Sequence, residues 1–161
     1  MRRRALSFAF LLGASLGGIT VKKLWLEKYR KLKAELDGSE QEREMLYGWL
    51  RLNRQGASLT EYFTARGCKY VAVFGMGPIG RLVADALGEM AVYGVEQTNF
   101  GAVHERLTVY RLGEDPLPPA DSMIICDCTI TPEQLAAAKE AFPGETVMLR
   151  QLFESIQGGS L

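Results

Sequence analysis

Gly75-Met76-Gly77-Pro78-Ile79-Gly80 is the stretch of this sequence best suited to chemistry, and the chemistry is the holding of a phosphate. Each glycine has its own task. Gly75 lets a strand turn sharply, Gly77 lets backbone approach a pyrophosphate with no Cβ between, and Gly80 lets helix and strand pack closely. Pro78 suits the first helical position, because its φ is fixed and its missing amide is one the helix could not bond internally. The orphan amides that follow, from Ile79 onward, then face an anion with the helix dipole behind them. Glu96 stands 21 positions beyond Gly75, at the end of the next strand pattern. A carboxylate there accepts hydrogen bonds from both ribose hydroxyls and repels a 2′-phosphate, which favours NAD or another ligand with unphosphorylated ribose over NADP. The plainer alternatives are a ligand-free tight turn and a solvated strand-end acid.

A second candidate face is Asp127-Cys128-Thr129, leaving the carboxyl end of a later strand, where ligands of open α/β sheets lie. Cys128 and Thr129 are expected to line the same pocket; alternatively, Asp127 and Thr129 cap the following helix. Cys126 and Cys128 sit two apart in a strand pattern and should share a face. Together with Cys68 and His104 they number four zinc-ligand types, but the spacing resembles no zinc site, so buried structural thiols and no metal are expected. No catalytic residue is assigned. His104, the single histidine, sits beside Glu105 and reads as a surface loop side chain without an orienting partner, and no YxxxK pair occurs.

The elements that must position these residues alternate from residue 68 onward. "YVAVF" is a continuous apolar run of the kind buried on both faces of a parallel sheet. Helix "PIGRLVADALGE", strand "MAVYGVEQ", a weaker strand "LTVYRL", strand "SMIICDCT", a helix opened by Thr131-Pro132-Glu133-Gln134, strand "TVMLR" and helix "QLFESIQ" follow. This order predicts an α/β fold, a Rossmann-like doubly wound parallel sheet of 4–5 strands, over residues 68–161. Residues 24–67 read as a helical arm. Its helical stripe is interrupted at Asp37-Gly38, restarts at a Ser39/Glu42 capping box, ends at Gly56, and is followed by a short helix between Ser58 and Gly67. Trp49 on that arm is expected to be exposed, a docking surface for a protein partner or a second copy.

The segment "WLRLNRQGASLTEYFTARGCKYVAVFGMGPIGRLVADAL" resembles the small Rossmann-like modules of bacterial proteins of polysaccharide and capsule synthesis, found beside glycosyltransferases and at the front of sugar O-acyltransferases. The match runs well from about Trp49 to Glu96 and elsewhere only in general pattern. It implies binding of a nucleotide or nucleotide-sugar and a cell-envelope glycan setting. Where such modules often carry Asp at the end of the second strand, this chain has Glu96, with the same charge and a longer reach.

With 161 residues, 47% of them hydrophobic, the chain can bury one modest core. Its 19 basic and 19 acidic residues balance, yet residues 1–33 carry nine Lys/Arg against one acid, +8, leaving ten against 18, −8. An acidic body is a poor partner for nucleic acid. Residues 1–23 enclose an uncharged stretch, Ala5 to Val21, between basic clusters, at the lower edge of what spans a bilayer. A membrane anchor is preferred to a cleaved signal or a soluble helix, and the larger basic cluster after the span places the body in the cytoplasm. The expectation is a membrane-tethered accessory module that binds NAD or a nucleotide-sugar and breaks no bond. The enzyme alternative is a minimal NAD-dependent oxidoreductase or epimerase completed by a partner subunit.

Overall fold

The computed structural model describes the backbone of residues 2–97 and 104–157, with side chains from Trp25 onward apart from those of 34, 35, 156 and 157. Two compact units result, Met1–Glu40 and Gln41–Leu161. Helix α1 spans Arg2–Arg54 without the break expected at Asp37-Gly38. An interior glycine costs a helix only about 1 kcal/mol and removes no hydrogen bond, so a continuing helix on either side overrides it. Ser39 and Glu42 are therefore mid-helical and not a cap. Among the described residues no helix is long and apolar enough to cross a membrane. The side chains of the predicted span, Ala5 to Val21, lie outside those described.

The second unit is an α/β sheet domain of Rossmann-like type. Its strands are β1 (Val71–Phe74), β2 (Ala91–Glu96), β3 (Val109–Arg111), β4 (Ser122–Ile125) and β5 (Glu145–Met148). All pair in parallel in the order β3-β2-β1-β4-β5. The helices are α2 (Leu59–Ala65), α3 (Pro78–Leu87), α4 (Pro132–Ala141) and α5 (Leu149–Gln157), and a 3-10 turn over Gly88–Met90 leads into β2. Central position explains the uniform apolarity of β1, in which all four residues are buried.

Side chains of β1 alternate between the two faces. Val71 and Val73 join one core with Ile124, Met45, Trp49 and Leu52 of α1, Phe63 of α2, Val83 of α3 and Leu152 of α5. Ala72 and Phe74 join the other with Met123, Ile125, Ala138 of α4 and Phe142. The compact domain consequently starts at Gln41, not residue 68, and the second half of the expected arm is part of its core. Trp49 is 8% exposed, which corrects the docking surface assigned to it. A Cβ on Gly48, one residue earlier, would meet the Phe153 ring at 2.6 Å, so α1 and α5 depend on that glycine to pack closely.

Local signals hold where one turn suffices to define them. Both α1 and α2 end as the sequence predicts: Gly56 (φ +71°) and Gly67 (φ +77°) take left-handed backbone, and the Cys68 amide bonds Phe63 O at 3.0 Å. Thr131 caps α4 with a full capping box to Gln134. At the amino-terminal edge of the sheet the Asp121 carboxylate accepts from the Lys69 and Tyr70 amides at 2.7 and 2.9 Å, pinning the entry of β1 to that of β4.

Candidate functional site

The glycine loop leaves the carboxyl end of β1, between β2 on one side and β4 on the other, where the strand order reverses. Gly75 has φ +83°, and its amide donates to Val95 O at 2.9 Å. A Cβ there would also meet Asp127 N at 2.8 Å. Gly80 is required for a different reason: a Cβ on it would overlap the Gly75 carbonyl oxygen, so α3 could not approach β1. These two glycines serve the fold.

Gly77 does not. Its backbone (φ −65°, ψ −170°) is open to any residue, and a Cβ built on it meets nothing within 4 Å. It is the N-cap of α3, with Pro78 at the first position, and has no side chain to cap the amides of Ile79 and Gly80. Those amides have no acceptor within the helix. Gly77, Pro78, Ile79 and Gly80 line a cleft of about 150 Å³ together with Glu96, Asp127, Cys128 and Thr129. That volume is below the several hundred Å³ typical of sites enclosing a whole drug-sized ligand, and suits a phosphate or diphosphate with the rest of a ligand lying outside.

Met76 departs from its expected place. Its side chain is 1% exposed and packs over Gly94, where a Cβ would meet Met76 Cγ at 2.7 Å. It faces the core, not the cleft, and its amide donates to Glu96 Oε1 at 2.6 Å. Glu96, 8% exposed at the end of β2, therefore holds the glycine loop to its own strand before any ligand is considered. It is no solvated strand-end acid.

On the β4 side, Asp127 Oδ1 accepts from the Thr129 amide and hydroxyl, both at 2.8 Å. This local turn fixes Cys128 and Thr129 against the cleft, and the capping alternative for Asp127 and Thr129 fails because Thr131 caps α4. Burial pushes the fully buried Cys126 thiol far up from its ordinary value, with the Asp127 charge adding to it. Burial also raises the half-buried Cys128, reinforced by the charges of Glu42 and Asp127. Both thiols are thus protonated at neutral pH and are poor nucleophiles.

Glu42 was not anticipated at the cleft, yet it lines it. It precedes Met45 by three residues and Trp49 by seven, so the stripe that docks α1 on the core carries Glu42 to the same side. The cleft is therefore lined by three carboxylates, Glu42, Glu96 and Asp127, and by no lysine or arginine among the described residues.

His104 also differs from expectation. Its side chain is 6% exposed, with Nε2 at 3.3 Å from Asp85 Oδ1 and Nδ1 accepting from the Arg106 amide at 3.3 Å. It has an orienting carboxylate after all, but both ring nitrogens are engaged and it is not among the residues lining the glycine cleft. Among the described residues no group of three or more His, Cys, Asp or Glu could hold a metal ion.

No family model, curated protein or solved structure matches this chain. The site is thus defined by its own geometry: a phosphate-sized cleft at the reversal of strand order, floored by a glycine that the fold does not require. In open parallel sheets that crevice is where ligands bind.

Proposed function

We infer that the domain binds a ligand carrying ribose and phosphate, NAD-like or a nucleotide-sugar, and acts by recognition and not by breaking a bond. Gly77 carries this reading, since its bare face serves close approach of something other than the protein itself. The Ile79 and Gly80 amides then meet the phosphate, with the helix dipole adding to the attraction. Glu96 takes a ribose hydroxyl in addition to its bond from Met76, a carboxylate having lone pairs for several donors. Cys128 and Thr129 form the opposite wall. Ala5 to Val21 tethers the domain to a membrane, with the body on the cytoplasmic side. A role beside cell-envelope polysaccharide synthesis rests on the sequence resemblance alone.

Three carboxylates and no lining cation among the described residues disfavour added negative charge, so oxidised NAD, with its cationic nicotinamide, should bind more tightly than NADH or NADP. The test is thermal stabilisation of the full-length chain by NAD, NADH, NADP and nucleotide-sugars, with mass spectrometry of small molecules retained on gentle purification. A ligand that binds only the folded state must raise its melting temperature. No shift with any of them, and nothing retained, overturns the reading.

A further inference from the structure

Within the first unit, helix α1 carries a row of large exposed apolar side chains: Trp25, Tyr29, Leu32 and Leu36, at 67, 55, 56 and 60% exposure. Their 4-3-4 spacing holds them within an arc of about 60° on a helix of 3.6 residues per turn. The Trp25 and Tyr29 rings stack at 5.9 Å, 9° from parallel, giving the row a flat aromatic end. Lys28 and Lys33 flank it on opposite sides, and Arg30 and Lys31 lie further round, all exposed, with Glu27 the one acid of the stretch 22–33.

Two occupants fit an apolar row of this spacing, a second copy or a bilayer surface, and charge separates them. In a parallel pair of helices Lys28 of one copy faces Lys33 of the other. Residues 22–33 carry six basic residues and one acid, so each copy adds +5 to the same contact. Anionic headgroups neutralise that charge while the row enters the acyl boundary and the flanking lysines extend outward to the phosphates. Aromatic rings and lysines at one level are also the composition of a membrane–water interface.

We propose that Trp25–Leu36 lies along an anionic membrane surface, apolar row inward, as an interfacial helix; α1 being unbroken, Ala5 to Val21 then tethers the domain by lying along that surface and not by crossing the bilayer. This stands independently of what the glycine cleft holds. An upright arm would carry Leu36 about 22 Å beyond Val21, well into water. A lying arm holds it at the acyl boundary.

Position 36 therefore decides the matter. In the full-length chain carrying Trp25→Phe and Leu36→Trp, the remaining tryptophan, Trp49, is buried and gives a constant background. The chain is reconstituted in phosphatidylcholine vesicles with and without phosphatidylserine, and tryptophan emission and quenching by brominated lipid are read. The expected result is a blue-shifted, quenched residue 36 with phosphatidylserine, and a solvent-like one without it. Lys28→Glu and Lys33→Glu should each weaken that partition by roughly fivefold or more, the scale of losing one basic contact with anionic lipid. Solvent-like emission in both vesicles means an upright arm and overturns the proposal. Equal shielding in both overturns it too, and concentration-dependent dimerisation would then identify the second copy as the occupant.

Discussion

Replacing Gly77 by alanine separates a glycine kept for a ligand from one kept for the fold. At φ −65° and ψ −170° alanine is unstrained, and its methyl meets nothing within 4 Å. Removing backbone freedom from the unfolded chain stabilises by about 0.4–1 kcal/mol. Alanine is a poorer N-cap than glycine, with a loss on the order of 0.5–1 kcal/mol. The two offset, so stability should stay within about 0.5 kcal/mol of the parent, or about 2 °C in Tm for a domain of this size. Binding should respond very differently, because the methyl stands where the phosphate must touch backbone. At a ligand concentration of 100 Kd the parent gains about 2.7 kcal/mol; hundredfold weaker binding leaves RT ln 2, about 0.4 kcal/mol. Gly80→Ala is the contrast, its methyl overlapping the Gly75 carbonyl, a backbone atom that cannot rotate away. It should lose about 3 kcal/mol or more, as forced overpacking does. Urea unfolding with and without ligand measures both variants. If Gly77→Ala binds like the parent, no phosphate approaches this loop; if it unfolds like Gly80→Ala, the glycine belongs to the fold and the functional reading loses its support.

Glu96→Ala strands the buried Met76 amide and should destabilise by about 1–3 kcal/mol, whereas Glu96→Gln keeps an acceptor and should lose clearly less; equal losses in chemical denaturation would contradict the loop-holding role. Asp121 is held below its ordinary value of 3.8 by the Lys69 amide first and the Tyr70 amide second. A depressed carboxylate gives stability that is complete above its unfolded value and lost as pH falls through the lower folded one, so Asp121→Asn should flatten the acid limb of the stability profile below about pH 4. A variant whose acid limb matches the parent would remove that assignment. Thiol labelling should reach Cys128 slowly and Cys126 only after unfolding, and a bound nucleotide should slow Cys128 further. Labelling of Cys128 that ignores a saturating ligand would place the ligand elsewhere.

How far the sequence could be read follows the range over which each residue's environment is decided. The run Val71–Phe74, the Thr131 cap and the tight approach at Gly80 depend on neighbours within one turn or one βα unit, and they stand where the sequence predicts. Asp37-Gly38 misled because a break signal is a local preference of about 1 kcal/mol, and helix on both sides outweighs it. Trp49 and Glu42 misled together: the apolar stripe of α1 was visible, but which side of it meets the sheet depends on strands about twenty to a hundred residues away. Met76 lies between two correctly read glycines, yet the pocket over Gly94 that takes its side chain belongs to another strand. His104 was legible as a loop residue; its burial against Asp85 on α3 was not. The cleft was thus readable where backbone alone defines it, and unreadable where long-range packing decides the direction of a side chain.

The clasp formed by Asp121 bears on how the chain acquires its form during synthesis. β1 sits between a neighbour made some twenty residues later and another made some fifty residues later, and its entry is tied down by a carboxylate that arrives with the later of the two. Gly75 likewise rests on Asp127. A nascent polypeptide that has left the ribosome only as far as β3 therefore holds the central strand with one flank bare, and non-local closure of this kind is slow. The phosphate-sized cleft comes into being late, when the β4 segment docks, so premature termination before Ser122 should yield an aggregation-prone fragment and not a smaller working domain.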